Sequence, residues 1–281
     1  MDLKRWSYYL DDYEVLRKEA QKTKEQLPDE KLASLGFYNT QKYVLTKASE
    51  LKPGVFSNAD DLYYPRAYLG AFTIKGEIEG TVPAYIKKAG TKQFIPVVSM
   101  NQTFSECYEL VTAPVIPDTV EEMENTFKTC VELRKIPNLP INLDKMQHTF
   151  LYCEKLMKIP EIPYGVRNMN RAFVECKKIQ ESPTIPETVV QMNGTFLDCV
   201  NLKTAPVIPK SVQNIENLFA GCSSLTGDVY ISCSPRYLSN CFFHSTTNEN
   251  CKVVIHAPKE ILEKLIATGK ENKNLEKGEY L

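Results

Sequence analysis

From Met100 onward the chain copies itself every 23 residues without an insertion or a gap. The copies read MNQTFSECYELVTAPVIPDTVEE, MENTFKTCVELRKIPNLPINLDK, MQHTFLYCEKLMKIPEIPYGVRN, MNRAFVECKKIQESPTIPETVVQ and MNGTFLDCVNLKTAPVIPKSVQN, with starts at Met100, Met123, Met146, Met169 and Met192. A sixth copy, IENLFAGCSSLTG from Ile215, keeps the register and then leaves it. A short fixed period marks an array in which each unit packs only on its neighbours, so it constrains the architecture more than any local propensity.

Apolar columns run through all copies. Besides the starts they are Phe104, Phe127, Phe150, Phe173, Phe196 and Phe219; Cys107, Cys130, Cys153, Cys176, Cys199 and Cys222; and Leu110, Leu133, Leu156, Ile179, Leu202 and Leu225. Phe, Cys and Leu at i, i+3 and i+6 share one face of a short helical or 3₁₀ turn. The residue before each Phe, where it is Thr, stands where it can cap that turn. The following P-x-I-P segment, as in Pro114-Val115-Ile116-Pro117, cannot be helix interior. It predicts a short extended piece with Ile116, Leu139, Ile162, Ile185 and Ile208 inward, after which Val120, Leu143, Val166, Val189 and Val212 lead back to the next start. One coil is thus a short strand, a turn, a 3₁₀-like segment and a return. No coil buries its own apolar face, so the coils must stack, with strands about 4.8 Å apart in a body roughly 25 to 30 Å long.

The pattern V-x-x-M-x-x-x-F-x-x-C-x-x-L, as in Val120-x-x-Met123-x-x-x-Phe127-x-x-Cys130-x-x-Leu133 and its copies, resembles the BspA-type leucine-rich repeats of bacterial surface proteins. The resemblance covers about residues 92–256. It implies a leucine-rich-repeat solenoid acting as an interaction module, often displayed on a surface, and a bacterial or phage-like source.

The flanks read differently. Residues 4–27 carry Trp6, Tyr9, Leu10, Tyr13, Leu16 and Ala20 as a stripe at helical spacing, stopped by Pro28. Asp29 can cap a brief second helix that ends at Gly36. Strand-like stretches follow at residues 42–46, 71–78 and 91–95. Residues 1–91 therefore read as a small α+β region closing the amino end of a solenoid over 92–256, with 95–99 as a shortened first coil. An uncovered end would expose apolar columns and an open edge. Residues 257–281 read as a capping helix over 258–268, with Ile261, Leu262, Leu265 and Ile266 on one face and Gly269 as stop, then a loose polar tail. A strand is expected at 252–256.

The chemistry-bearing residues are few. A net charge of -1 gives no global basic footprint for nucleic acid. No apolar run approaches the roughly 20 residues of a bilayer span. The first residues, Met1-Asp2-Leu3-Lys4-Arg5-Trp6, lead into a polar stretch instead of a signal core. A native start at Met1 places the protein in the cytoplasm; a trimmed or assembled form places it on a cell surface or virion. Of nine cysteines, six belong to the ladder as small apolar fillers, expected as buried free thiols. Cys233, Cys241 and Cys251 with His244 make a zinc alternative. Their wide spacing and the lack of a C-x-x-C pair argue for a structural role, and neither metal nor cofactor is expected. His148 stands in a column otherwise filled by Gln102, Asn125, Arg171, Gly194 and Asn217, a solvated position. No nucleophile elbow, zincin, P-loop or dinucleotide fingerprint occurs, so no catalytic residue is assigned. Asp60-Asp61 and the glutamates at 121, 122 and 124 read as solvated faces, and the sequons at Asn101 and Asn193 are explained by the repeat.

Recognition is left to the columns that vary. If Pro and Ile of P-x-I-P face inward, the residue before the Pro and the one between the two face outward on the strand surface. In the middle copies those are Ile136, Asn138, Ile159 and Glu161, preceded by Arg134-Lys135 and Met157-Lys158. The candidate binding residues are therefore Arg134, Lys135, Ile136, Asn138, Met157, Lys158, Ile159 and Glu161. Exposed aliphatics beside cations suit a protein partner, with a glycan as the second choice; a solvated face tolerant of drift is the plain alternative. Three functions stay open: a non-enzymatic interaction module, a structural part of a virion or surface appendage, and an enzyme with its site in residues 1–95. Oligomeric state is left open.

Overall fold

The computed structural model describes residues 97–245, 251–269, 272 and 274–281 with their side chains, and before them the backbone of six strands. These are β1 (Phe37–Asn39), β2 (Val44–Leu45), β3 (Ala67–Tyr68), β4 (Ile74–Gly80), β5 (Tyr85–Lys87) and β6 (Phe94–Ser99). β1 and β2 pair antiparallel with β4, and β6 lies between β3 and β5. β4 also pairs in parallel with β7 (Leu110–Thr112), which belongs to the first repeat. The strands expected at 42–46, 71–78 and 91–95 overlap β2, β4 and β6. The helix expected over 4–27 and the second one ending at Gly36 lie outside the described residues. Among the described residues no helix is long and apolar enough to cross a membrane.

The repeats pair in parallel. One unbroken series of bridges joins Ser99, Glu122, Lys145, Asn168, Gln191, Asn214 and Tyr237, each to the next. The N–H of each repeat start donates across it, from Met100 to the Glu122 carbonyl at 2.9 Å and from Met123 to the Lys145 carbonyl at 2.9 Å. A second series runs near the P-x-I-P segment, with Thr112 bridged to Lys135 and Glu181 to Thr204. Stacking in this register places the columns on themselves. Adjacent phenyl rings from Phe104 to Phe219 are 5.3 to 5.9 Å apart and within 10° of parallel. Each such pair adds about 0.5–1.5 kcal/mol to the area it buries.

The segment from Met to Leu departs from the expected 3₁₀ turn. Thr103 N–H donates to Met100 O and Cys107 N–H to Phe104 O, but the third residue of each turn has positive φ: 61° at Gln102 and 63° at Glu106. That combination is a pair of type II turns, which a right-handed helical turn cannot accommodate. The same two positions repeat at Asn125 and Thr129, His148 and Tyr152, Arg171 and Glu175, Gly194 and Asp198, and Asn217 and Gly221. Left-handed residues break the run and turn alternate N–H groups toward the neighbouring coil, as when Glu106 N–H reaches Lys128 O at 2.7 Å.

The threonines do not cap their own turn. Thr126 donates its hydroxyl to Met100 O at 2.8 Å, Thr149 to Met123 O at 2.7 Å and Thr195 to Met169 O at 3.0 Å, each one coil back. The cysteines act alike: Cys130 Sγ donates to Phe104 O at 3.0 Å and Cys199 Sγ to Phe173 O at 3.0 Å. All nine cysteines are free and buried. The ladder thiols are thus second donors to carbonyls that already accept a turn N–H, as well as fillers.

The repeat also runs on further than its letters suggest. Leu238, Phe242 and Ser245 stand 23 residues after Ile215, Phe219 and Cys222. The Phe242 ring lies 5.6 Å from that of Phe219, and positive φ returns at Asn240 and His244. This seventh turn is hidden in sequence because Ser replaces Cys and the P-x-I-P segment is lost. Beyond it, β8 (Gly227–Tyr230), β9 (Val253–Ala257) and β10 (Leu275–Tyr280) form a parallel sheet with β9 central. The expected strand at 252–256 is β9. Helix α1 (Lys259–Thr268) joins β9 to β10, burying Ile261, Leu262 and Leu265 and ending at Gly269. The tail expected to be loose is therefore strand β10. Its Glu276, Lys277 and Glu279 side chains are exposed, charges of the kind that guard a strand which, among the described residues, pairs only with β9.

Candidate functional site

Side chains in the P-x-I-P segment follow a period of three. Leu133, Ile136 and Leu139 are buried, as are Leu156, Ile159 and Ile162. Three is the period of polyproline II geometry, which prolines favour, where a pleated strand would alternate every two. Ile136 and Ile159, expected on the outer face, are therefore core residues, 6% and 5% exposed. Asn138 is also committed elsewhere. Its Oδ1 accepts from Ile116 N–H at 3.1 Å and its Nδ2 donates to Ile116 O at 2.9 Å, so the amide pairs with the backbone of the preceding coil.

The other candidates are exposed: Arg134, Lys135, Met157, Lys158 and Glu161. All but Met157, which adjoins Lys158, line an open groove of about 710 Å³ across the second and third coils, with Ile136 in its wall. Ile159 does not line it. Two groove residues were not found by sequence reasoning. Ile141 and Tyr164 stand at its side, 67% and 72% exposed, and occupy one column with Asp118, Glu187 and Lys210. The signal was present in that column, where two large apolar residues replace charged ones in adjacent coils.

Hydrogen bonds between coils tie down the backbone beside the groove. Ile141 N–H donates to Asp118 Oδ1 at 3.1 Å, and Asn142 Nδ2 donates to Asp118 O at 2.7 Å. The Thr188 hydroxyl donates to the carbonyls of Tyr164 and Val166. Outside the groove three lysines pair with glutamates one coil back, Lys145 with Glu122 at 2.8 Å, Lys155 with Glu132 at 2.5 Å and Lys177 with Glu154 at 3.0 Å. Among the described residues no ion pair uses Arg134, Lys135 or Lys158. A smaller groove of about 450 Å³ over the fourth and fifth coils is lined by Thr184, Glu187, Thr204 and Val207 and has no cation.

Other reactive groups are placed apart from the groove. Burial pushes the Cys199 thiol up to about 12 and that of Cys233 to about 11. Burial raises Cys153, Cys176 and Cys241 as well. Thiols held neutral in this way are poor nucleophiles and poor metal ligands. Cys233, Cys241 and Cys251 are buried while His244 is exposed and tilted on the Phe243 ring at 4.0 Å. Among the described residues no three His, Cys, Asp or Glu side chains gather as a metal site. His148 is lowered by desolvation and then by the Arg171 charge. His256, between Asp228 and the Glu279 N–H, ties β8, β9 and β10 together.

No curated protein is significantly similar to this chain in sequence. Among solved structures, a leucine-rich repeat protein of T. pallidum aligns with a TM-score of 0.55 at 23% identity, over 79% of this chain and 95% of that one. A leucine-rich repeat protein from Bacteroides ovatus aligns with a TM-score of 0.49 at 16% identity, over 81% of this chain and 66% of that one. The first likeness shows the fold. The family model described as the BspA type leucine-rich repeat region matches in six copies, over residues 100–226 and 149–261. Those matches span more than half of the chain: it belongs to the BspA-type leucine-rich repeat family.

Proposed function

We propose that this protein is a non-enzymatic interaction module that holds a protein partner against the groove of its second and third coils. Arg134, Lys135, Lys158 and Glu161 supply the polar contacts, and Ile141, Tyr164 and Met157 the apolar ones. One observation carries the reading: exposed Ile141, Met157 and Tyr164 lie in the same two coils as Arg134, Lys135 and Lys158, none of which has an ion-pair partner among the described residues. Exposed apolar surface rimmed by charge is the usual composition of an interface. Repeats of this family generally serve as binding modules, which supports the same reading. Residues 1–91 and 257–281 would then close the two ends of the 92–256 stack, the first through β4 against β7, the second through α1 and β10.

The test is affinity capture from the native host with full-length protein. The triple variant Arg134→Glu, Lys135→Glu, Lys158→Glu is expected to lose the captured partner. A control variant reversing Lys155 and Lys177, which sit outside the groove, is expected to keep it. Capture that survives the groove variant rejects the proposal.

A further inference from the structure

Every column of a repeat protein carries its own control, because the fold asks the same thing of each coil. A departure on the outer surface that clusters in neighbouring coils is not required by the fold. Three columns depart together here. Where other coils carry Asp118, Glu187 and Lys210, the second and third carry Ile141 and Tyr164. Where the neighbours carry Val111 and Thr112 or Gln180 and Glu181, these coils carry Arg134, Lys135, Met157 and Lys158. The apolar pair and the cations line one groove.

Resting on the interaction reading above, we infer that the occupant of this groove is an acidic peptide segment that carries a bulky apolar residue among its carboxylates. Charge complementarity selects the acid. Arg134, Lys135 and Lys158 have no ion-pair partner among the described residues, whereas Lys145, Lys155 and Lys177, which lie outside the groove, bond a glutamate one coil back. The protein as a whole carries a net charge of -1, so this patch is local and faces a single carboxylate of its own, Glu161. Arg134 offers a planar fork for a bidentate carboxylate, and the two lysines act as point charges beside it. Ile141 and Tyr164 select the apolar anchor. Asp118 bonds the Ile141 backbone and Thr188 the Tyr164 backbone, so the main chain under both anchors is already ordered and only side-chain rotamers are left to fix when a ligand docks. The fourth-and-fifth-coil groove, with Glu187 and no cation, serves as the internal comparison.

The probe is a fluorescein-labelled peptide, Asp-Glu-Trp-Leu-Asp-Glu, titrated with full-length protein by fluorescence anisotropy at low ionic strength. Its companions are the same peptide with Ser and Gln in place of the acids, and with Gly in place of Trp-Leu. The acidic, anchored peptide is expected to bind at least about tenfold more tightly than either companion, and to weaken as salt rises. Arg134→Gln with Lys135→Gln and Lys158→Gln should abolish that preference for acid, and Tyr164→Asp should abolish the preference for Trp-Leu. Far-UV circular dichroism and melting confirm that each variant is folded. The inference is overturned if the three peptides bind alike, if none binds, or if polygalacturonate binds the groove and the acidic peptide does not. When any of these occurs while captured partner is still lost on charge reversal, the interaction reading stands and only the ligand class falls. Where capture too ignores the reversal, both fall.

Discussion

Ala172 interrupts the threonine staples, and restoring the missing hydroxyl should stabilise the protein. In the flanking coils Thr149 and Thr195 each donate to the carbonyl of a Met one coil back. At Ala172 that donor is absent, and its acceptor would be Met146 O. Among the described residues the one donor to Met146 O is Thr149 N–H, at 3.4 Å, against 3.0 to 3.2 Å for the equivalent bond in the other coils. The backbone at Ala172 is otherwise that of its neighbours: its N–H reaches Met169 O at 3.1 Å and its carbonyl accepts from Phe150 N–H at 2.9 Å. Ala172→Thr therefore adds one buried hydrogen bond, worth about 0.5–1.5 kcal/mol net. It also buries one more methyl, about 0.8 kcal/mol, and the fixed rotamer and any tightness of fit oppose these gains. A net stabilisation of about 1 kcal/mol is expected. Urea unfolding followed by circular dichroism should show a higher midpoint at unchanged slope. The reciprocal variant Thr149→Val, which keeps shape and removes the donor, should cost about 1 kcal/mol. If Ala172→Thr lowers the midpoint while Thr149→Val behaves as expected, the third and fourth coils are not spaced like the others, and the reasoning from register fails.

Two further outcomes follow from the buried thiols and the left-handed turns. The thiol of Cys199 is raised from 9.0 to about 12 by burial, so the folded state resists forming the thiolate. Its contribution to stability is complete below about pH 9 and is lost as pH rises from there toward about 12. Native protein at pH 8 should leave the ladder cysteines unlabelled by a thiol reagent and release all of them in denaturant; rapid labelling of the native ladder would refute the burial argument. Gly221 and Gly194 both have positive φ, but a Cβ on Gly221 would fall on the Asp198 carboxylate, whereas Gly194 stands in a column that holds Asn125, His148 and Asn217. Thermal melts should show Gly221→Ala destabilised by at least about 1 kcal/mol and Gly194→Asn within about 0.5 kcal/mol of the parent.

Much of the fold was legible because the period is uninterrupted. Met100, Phe104, Cys107 and Leu110 and their copies are all in the core, as expected from the alignment of the repeats alone. What failed were arguments about local geometry. A spacing of three from Phe to Cys suggested a 3₁₀ turn, yet Gln102 and Glu106 are left-handed, and no residue type at those two positions is constant enough to announce it. The seventh turn escaped because Ser245 and the loss of prolines disguise it. The exposure of the candidate residues was half read. Arg134, Lys135, Met157, Lys158 and Glu161 are exposed as expected, while Ile136, Ile159 and Asn138 are taken up by the protein itself. The error lay in assigning an alternation of two to a segment whose buried side chains recur every three.

The amino-acid order by itself determined the unit, its length and the identity of the buried columns, because a residue repeated at a constant interval can satisfy only one environment. Tertiary structure decided which outer residues meet. Ile141 and Tyr164 are 23 positions apart and become groove neighbours only when coils stack. Likewise the direction of each hydroxyl and thiol toward the preceding coil depends on where that coil lies. Interiors are set by composition at a period, whereas surfaces are set by which periods come to rest side by side.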